Sequence, residues 1–300
     1  MRTRPLGPLQ VPVVGLGCNN FGRRVDKDGT KAVVDAALAA GVTFFDTADI
    51  YGNRGGSETL LGEVLQGRRD QVVLATKWGA MLDSDDDAHG SREFVRRALA
   101  ASLERLQTDH VDLYQHHQED KRTPVEETMA ALKELVDEGK VRAVGTSNYE
   151  PASLERAARA AQELGVPYVS EQSEYSWLAR DVEAELIPAC ERLGLGLIPY
   201  FPLASGLLTG KVSSDRPPAE GTRLHGQELD DGDLARMESY RAWAEAHGRT
   251  LLEVAIGGLA AVSPVASEIA GATKPEQVRA NAEAGTWEPT PDELRELQAL

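Results

Sequence analysis

The chain has 300 residues, with 32 basic against 48 acidic side chains and a formal net charge of −16. That length suits one large domain or two small ones. So acidic a surface repels nucleic acid and anionic membranes at long range, and a bound anion needs its own local cluster of cations.

Two cysteines, Cys18 and Cys190, give no disulfide framework and suit a reducing cytosol. The opening "MRTRPLGPLQVPVV" has no continuous apolar segment of signal-peptide type. The late apolar stretch "VAIGGLAAV" is far too short to cross a bilayer. A cytoplasmic protein is expected, with neither nucleic-acid nor membrane partners. Monomer and homo-oligomer both stay open.

Along the chain, short apolar runs recur and each ends in polar residues. They are "VVGLGCN" from Val13, "VTFFDTA" from Val42, "VVLATKW" from Val72, "VDLYQHH" from Val111, "VRAVGTSN" from Val141, "YVSEQSEY" from Tyr168, "LGLIPYF" from Leu195 and "SEIAGAT" from Ser267. The first seven have the Val, Leu, Ile and aromatic content of buried parallel strands. Between them lie segments with helical spacing. "DGTKAVVDAALAAG" runs from Asp28 to Gly41. "SREFVRRALAASLERL" has Ser91 as its cap. "TPVEETMAALKELVDEG" has Thr123 as cap, Pro124 in the first turn and Gly139 past the end. "EPASLERAARAAQELG" and "RDVEAELIPACERLG" each close on a glycine.

Alternation of strand and helix eight times predicts a (β/α)8 TIM barrel occupying residues 1–300 as a single domain. The opening "RTRPLGPLQVPVV" is read as an N-terminal β-hairpin plugging the barrel, and extra C-terminal helices follow the last strand. A doubly wound sheet with a dinucleotide fingerprint fits less well: "GLGCNNFG" has Asn20 where the third glycine of G-x-G-x-x-G belongs. Residues 212–227, "VSSDRPPAEGTRLHGQ", are too polar for a core element and long enough for a lid.

In such a barrel the chemistry sits at the carboxyl ends of the strands. Asp46, Asp49 and Tyr51 follow the second strand, Lys77 ends the third, and His116 and His117 end the fourth. Ser147 and Asn148 end the fifth, Glu171, Gln172 and Tyr175 the sixth, and Tyr200 the seventh. A free tyrosine is a poor acid at neutral pH. A lysine ammonium beside the phenol favours phenolate, and a carboxylate keeps that lysine charged and in place. A histidine near the phenol orients a carbonyl oxygen or relays a proton. Together they make a tuned proton donor for a developing alkoxide, which implies a nicotinamide as hydride partner.

At these residues the sequence resembles the aldo-keto reductases, from "GLGCNNFG" through "FDTADIYGNRGGSETLLG" and "PYFPLASGLLTGK" to "AGATKPEQVRAN". The resemblance implies a barrel that binds NADP(H) without a Rossmann fingerprint and reduces an aldehyde or ketone to an alcohol. By that resemblance Tyr51 is the general acid/base, Lys77 lowers its pKa, Asp46 holds Lys77 and His117 orients the carbonyl. His116, on the opposite strand face, is then a packing residue. Asp49 takes no part and reads as a solvated turn.

The same resemblance implies that Ser147, Asn148 and Gln172 hold the nicotinamide carboxamide and that Tyr200 stacks on its ring. Phe201, Pro202, Leu203, Ser205, Gly206 and Lys211 form the pyrophosphate stretch, with Arg223 over it from the lid-like loop. Cys18, Asn19, Arg24 and Asp46 join the cofactor set. Past the last strand, Gly271, Thr273, Lys274, Gln277 and Asn281 face the adenine half, with Lys274 at a helix amino terminus for the 2′-phosphate. Arg279 is a further candidate cation. The sequence departs from the family where Ala280 stands for Glu or Gln, and where Gln277 stands for the Arg of some NADPH-specific members.

Asn20, Phe21, Tyr51, Trp78 and His117 are expected to line the substrate pocket. Asp83, Asp85 and Asp87 read as a solvated acidic loop and not as a metal site, since the downstream Glu of a calcium loop is missing. Two further readings stand beside the enzyme. One is a redox-sensing cofactor-binding subunit like the potassium-channel β subunits, which lack the site histidine. The other is a hydrolase pairing Asp46 with Glu171.

Overall fold

The structure, a computed structural model, describes residues 1–80, 88–213, 216–220 and 222–300. The acidic residues Asp83, Asp85 and Asp87, and part of the lid-like loop, lie outside the described residues. Strands β1 (Thr3–Leu6) and β2 (Leu9–Pro12) form an antiparallel hairpin. There follow β3 (Val14–Gly17), α1 (Lys27–Ala39), β4 (Phe44–Asp46), α2 (Tyr51–Val64), β5 (Val73–Trp78), α3 (Arg92–Leu106), β6 (Val111–His116) and α4 (Val125–Asp137). The second half holds β7 (Val141–Ser147), α5 (Pro151–Leu164), β8 (Tyr168–Glu174), α6 (Leu186–Leu193) and β9 (Gly196–Tyr200). It ends with α7 (Asp231–Ala246), α8 (Leu251–Glu253), β10 (Glu268–Gly271), α9 (Pro275–Ala284) and α10 (Pro291–Ala299).

Strands β3 to β10 close into a barrel in the order β10-β3-β4-β5-β6-β7-β8-β9, paired in parallel throughout. This is a (β/α)8 TIM barrel. All eight expected strands are present. The hairpin is the expected plug: Leu6, Leu9 and Val11 share a buried cluster with Phe44, Ala75, Leu113, Ala143, Ile198 and Ile269. Its Arg4 donates to the carbonyls of Ala260 and Val265 at 2.6 and 2.5 Å, which pins the hairpin to the last turn of the wall. A larger cluster fills the layer between strands and helices. Among the described residues no helix is long and apolar enough to cross a membrane.

Side chains cap α1, α3, α7, α8 and α10 but not α4, and two expected helix starts shift. Helix α1 is capped by Asp26, whose Oδ1 accepts from the Gly29 amide at 2.9 Å, two residues before the expected start. Thr123 does not cap α4: its hydroxyl donates to Asp120 at 2.8 Å, and the helix begins after Pro124. Ser91 caps α3 as expected. The single helix expected over residues 180–194 is a short 3-10 turn, Asp181–Glu183, followed by α6. Pro188 has no N–H to bond four residues back, so the helix cannot extend far upstream of it. Helix α7 was not anticipated, although Met237, Tyr240 and Ala244 bury one face at helical spacing behind an Asp230 cap.

Candidate active site

Alternation along the strands divides the barrel wall into two chemistries. Asp46, Lys77, Gln115 and Gln172 point inward and bond to one another. Their neighbours Phe45 and Trp78 belong to the layer under the helices, where His116 and Glu171 also find their partners. At the centre, Lys77 Nζ donates to Asp46 Oδ2 at 2.5 Å and to the Thr47 carbonyl at 3.1 Å. Asp46 Oδ1 accepts from Gln115 Nε2 at 3.1 Å and from Gln172 Nε2 at 3.0 Å. Lys77 and Gln115 are fully buried, and Asp46 is 2% exposed.

Tyr51 stands over this pair. Lys77 Nζ lies 5.2 Å from its ring centre. His117 meets the same ring edge-on, with centroids 5.9 Å apart at 86°. The backbone after Tyr51 turns through four left-handed residues, Gly52 to Gly55. A Cβ at Gly52 would stand 2.5 Å from the Ser57 amide and 2.6 Å from the Phe21 carbonyl, so only glycine lets this turn close against the loop after β3.

Burial dominates the electrostatics here. It raises the Tyr51 pKa, and the Lys77 charge pulls it down by less, so the net direction is upward and not the lowering expected from the lysine alone. Burial works against the Lys77 charge, but Asp46 and Tyr51 outweigh it and its pKa is raised. Burial, then the charges of Lys77 and His116, pull His117 down to about 3. At neutral pH the site therefore holds a protonated phenol, an ammonium and a neutral imidazole.

Three comparisons with known proteins bear on this arrangement. The sequence model of the aldo/keto reductase family matches residues 13–300. The chain is 37% identical over 284 residues to a Bacillus subtilis protein named uncharacterized oxidoreductase YrpG, covering 90% of this chain and 86% of that one. It is 32% identical over 302 residues to a probable aldo-keto reductase 1 of Glycine max, covering 96% and 85%.

The chain belongs to the aldo/keto reductase family.

Another relative carries a different title. A probable voltage-gated potassium channel subunit beta of Oryza sativa is 35% identical over 296 residues, covering 93% of this chain and 89% of that one. The family's activity is NAD(P)H-dependent carbonyl reduction, and the remaining residues can be placed against that chemistry.

Asn148 lies in the left-handed region, φ 59°. Its Nδ2 donates to the His117 carbonyl and to Ser147 Oγ, both at 3.0 Å. Tyr200 Oη donates to Asn148 Oδ1 at 2.9 Å. Ser147, Asn148, His117 and Tyr200 are thus one group at the mouth. Phe201, Ala204 and Ser205 also have positive φ, an unusual run for non-glycine residues, in the stretch that leads through Gly206 to Lys211. Arg223 reaches over this stretch, 4.9 Å above the Phe201 ring. Burial, then the nearby Arg24 and Arg23, lower its pKa, so three guanidinium groups share the mouth of a strongly acidic protein.

Across the mouth, a Cβ at Gly271 would stand 3.4 Å from Asn20 Nδ2 and 3.7 Å from Asn19 Oδ1, which brings those three residues together. Cys18 is fully buried beside Asp46, whose carbonyl accepts its amide at 2.9 Å. Lys274 is exposed just before α9. Gln277 is already committed: its Oε1 accepts from the Thr273 and Lys274 amides at 2.7 and 3.1 Å, so it shapes this turn instead of reaching outward. Asn281 is 5% exposed.

Several expected rim residues do not face the mouth. Trp78 is fully buried, stacked on Tyr114 at 4.3 Å and on His116 at 4.7 Å, with its indole N–H on the His89 carbonyl. Strand alternation sends it outward because Lys77 points in. Phe21 is likewise fully buried in the outer core. Glu171 accepts from Thr146, Tyr149 and Ser173 in the outer layer, so the sheet wall separates it from Asp46 and a paired-carboxylate hydrolase is excluded. Tyr175 is buried with its hydroxyl on Glu183. Asp49 is half-buried and not a fully solvated turn, and burial and then the Glu58 charge raise its pKa to about 7. His116 packs in the outer layer, its Nδ1 2.9 Å from Tyr149 Oη. Sequence reasoning missed Gln115, although it lies two residues before His117 and so on the same strand face.

Proposed function

We propose that this protein is an NADPH-dependent carbonyl reductase that converts an aldehyde or ketone to an alcohol, with Tyr51 as proton donor. The observation that carries this reading is the buried Lys77–Asp46 pair set directly beneath Tyr51. The mouth suits a dinucleotide phosphate. Asn19 Oδ1 and His117 Nδ1 are buried polar atoms without a hydrogen-bond partner among the described residues. Gly271 lies beside the side chains of both Asn19 and Asn20 at this mouth. Arg23, Arg24 and Arg223 gather positive charge where a polyanion needs it.

Ser147, Asn148 and Gln172 would hold the carboxamide, Tyr200 would face the ring, and Arg223, Arg24 and Lys211 would meet the diphosphate. Lys274, at the start of α9, would meet the 2′-phosphate. When bound, the cofactor supplies a hydride for the carbonyl carbon. The protein's own share is the proton. Tyr51 Oη gives its hydrogen to the carbonyl oxygen as negative charge develops there. Lys77 stabilises the phenolate left behind, and Asp46 keeps Lys77 charged and in place. His117, neutral at physiological pH, aligns the carbonyl by a hydrogen bond and is not the acid.

The similarity to a channel β subunit favours a second reading, a cofactor-binding subunit without turnover. His117 beside Tyr51 argues for the enzyme. The test is NADPH consumption with a panel of aldehydes, ketones, sugars and quinones, run beside Tyr51→Phe. Turnover lost in the variant supports the reductase. Tight NADPH binding without turnover on any carbonyl supports the subunit.

A further inference from the structure

Gln115 sits on β6 inside the barrel and is fully buried. Its Nε2 donates to Asp46 Oδ1 at 3.1 Å, and Gln172 Nε2 donates to the same oxygen at 3.0 Å. Gln172 Nε2 also lies 3.5 Å from Gln115 Oε1, so the two amides and the carboxylate form one closed set. Gly145 makes the space: a Cβ there would stand 3.1 Å from Gln115 Cγ and 2.3 Å from Ser170 Oγ. A buried amide is costly unless it is bonded, and the layer toward the hairpin is apolar, with Leu113 on the same strand face. An apolar residue at position 115 would continue that layer without the cost. The amide is there for Asp46.

We infer that Gln115 is a positioning residue for the carbonyl reduction proposed above, and this rests on that reading: its N–H fixes Asp46 Oδ1, so Oδ2 stays on Lys77 and the Lys77 charge stays under Tyr51. The amide also turns the positive end of its dipole toward Asp46 and weakens the carboxylate's field at the phenol. Without it Asp46 loses one of two donors on Oδ1, its field reaches Tyr51 less screened, and the phenol holds its proton more tightly. The residue touches neither substrate nor cofactor.

The test is Gln115→Met, close in length and without a donor. Tyr51 ionisation is followed in the purified protein by ultraviolet tyrosinate absorbance, with Tyr51→Phe as the reference. Its midpoint is expected to rise by up to about one pH unit, because the amide no longer weakens the Asp46 field at the phenol. The alkaline limb of the kcat profile should move with it, while KM for the carbonyl stays within about two-fold because no substrate contact is removed. Gln115→Glu keeps the size and adds a negative charge at alkaline pH, and is expected to move the midpoint further up. It also decides the matter if the Met variant does not fold. A midpoint unmoved in both variants, with only a lower melting temperature, overturns the inference and leaves Gln115 a packing residue. The absorbance titration needs no turnover. A wild type inert toward every carbonyl therefore refutes the reductase reading separately, and the titration still decides the role of Gln115.

Discussion

Replacing Lys77 by Met removes one positive charge and little else, since the two side chains match in length. Lys77 Nζ lies 5.2 Å from the Tyr51 ring centre. The phenolate oxygen, hydrogen-bonded to Lys77, lies closer than the ring centre, so with an effective dielectric constant of about 20 the two unit charges act on each other with at least ~3 kcal/mol. That corresponds to roughly two pH units on the phenol. The real shift has a second part of the same sign, because Asp46, which already raises the Tyr51 pKa, loses its cation. The rising limb of the alcohol-oxidation profile, where tyrosinate acts as base, is therefore expected to move up by at least about two units. Reduction at neutral pH should slow as the acid weakens. Adding Asp46→Asn to the same variant removes the unpaired carboxylate and should bring part of the shift back. The assay is kcat against pH in both directions for the three proteins, with NADPH affinity measured beside it. A rising oxidation limb at the wild-type position in Lys77→Met, with binding intact, would show that Lys77 does not tune Tyr51.

Tyr51→Phe keeps the ring and removes the proton, so turnover should fall roughly 10²- to 10⁴-fold while NADPH still binds; near-normal kcat would move the acid elsewhere. Glu171, raised from 4.5 to about 7 by burial, keeps its proton in the folded chain at pH values where the unfolded chain has lost it. Stability should then fall between about pH 4.5 and 7 and level off above, and Glu171→Gln should flatten that fall by at most about 3 kcal/mol, read as melting temperature against pH. Lys274→Ala should weaken NADPH roughly ten-fold or more and leave NADH nearly unchanged at one fixed salt concentration; equal weakening of both would place the 2′-phosphate elsewhere.

The strands were legible because burial on both faces leaves continuous apolar runs, and seven such runs, with the more polar "SEIAGAT" as the eighth, became barrel strands. Which residues close or follow each run was legible too, and the structure brings four of them, Asp46, Tyr51, Lys77 and His117, together. What the sequence did not disclose was facing. Trp78 follows Lys77, and Glu171 precedes Gln172, so each pair must split across the sheet wall; treating whole strand ends as rim residues ignored that alternation. Phe21 and Asp49 failed for another reason. They lie on loops, where no periodicity says what a side chain meets, and their surroundings come from distant segments: the outer core for Phe21, Glu58 and Arg105 for Asp49. Gln277 satisfied the spacing argument but was already bonded to the turn before its own helix. Spacing reports which face a residue shares, not whether its polar atoms are still available.

One physical cause assigns the two candidate proton carriers their parts. Tyr51 and His117 are both buried, and burial disfavours whichever form is charged. For a phenol the charged form lacks the proton, so Tyr51 rests protonated. For an imidazole the charged form carries the extra proton, so His117 rests neutral, with Lys77 pushing it the same way. A single ammonium thus acts on its two neighbours in useful senses: it eases the loss of the phenol's proton and keeps a second proton off the imidazole. The resting state at neutral pH holds one transferable proton, on Tyr51, and one neutral ring to align a carbonyl. That state is prepared for reduction. Oxidation of an alcohol starts from the tyrosinate, which this environment grants only at alkaline pH.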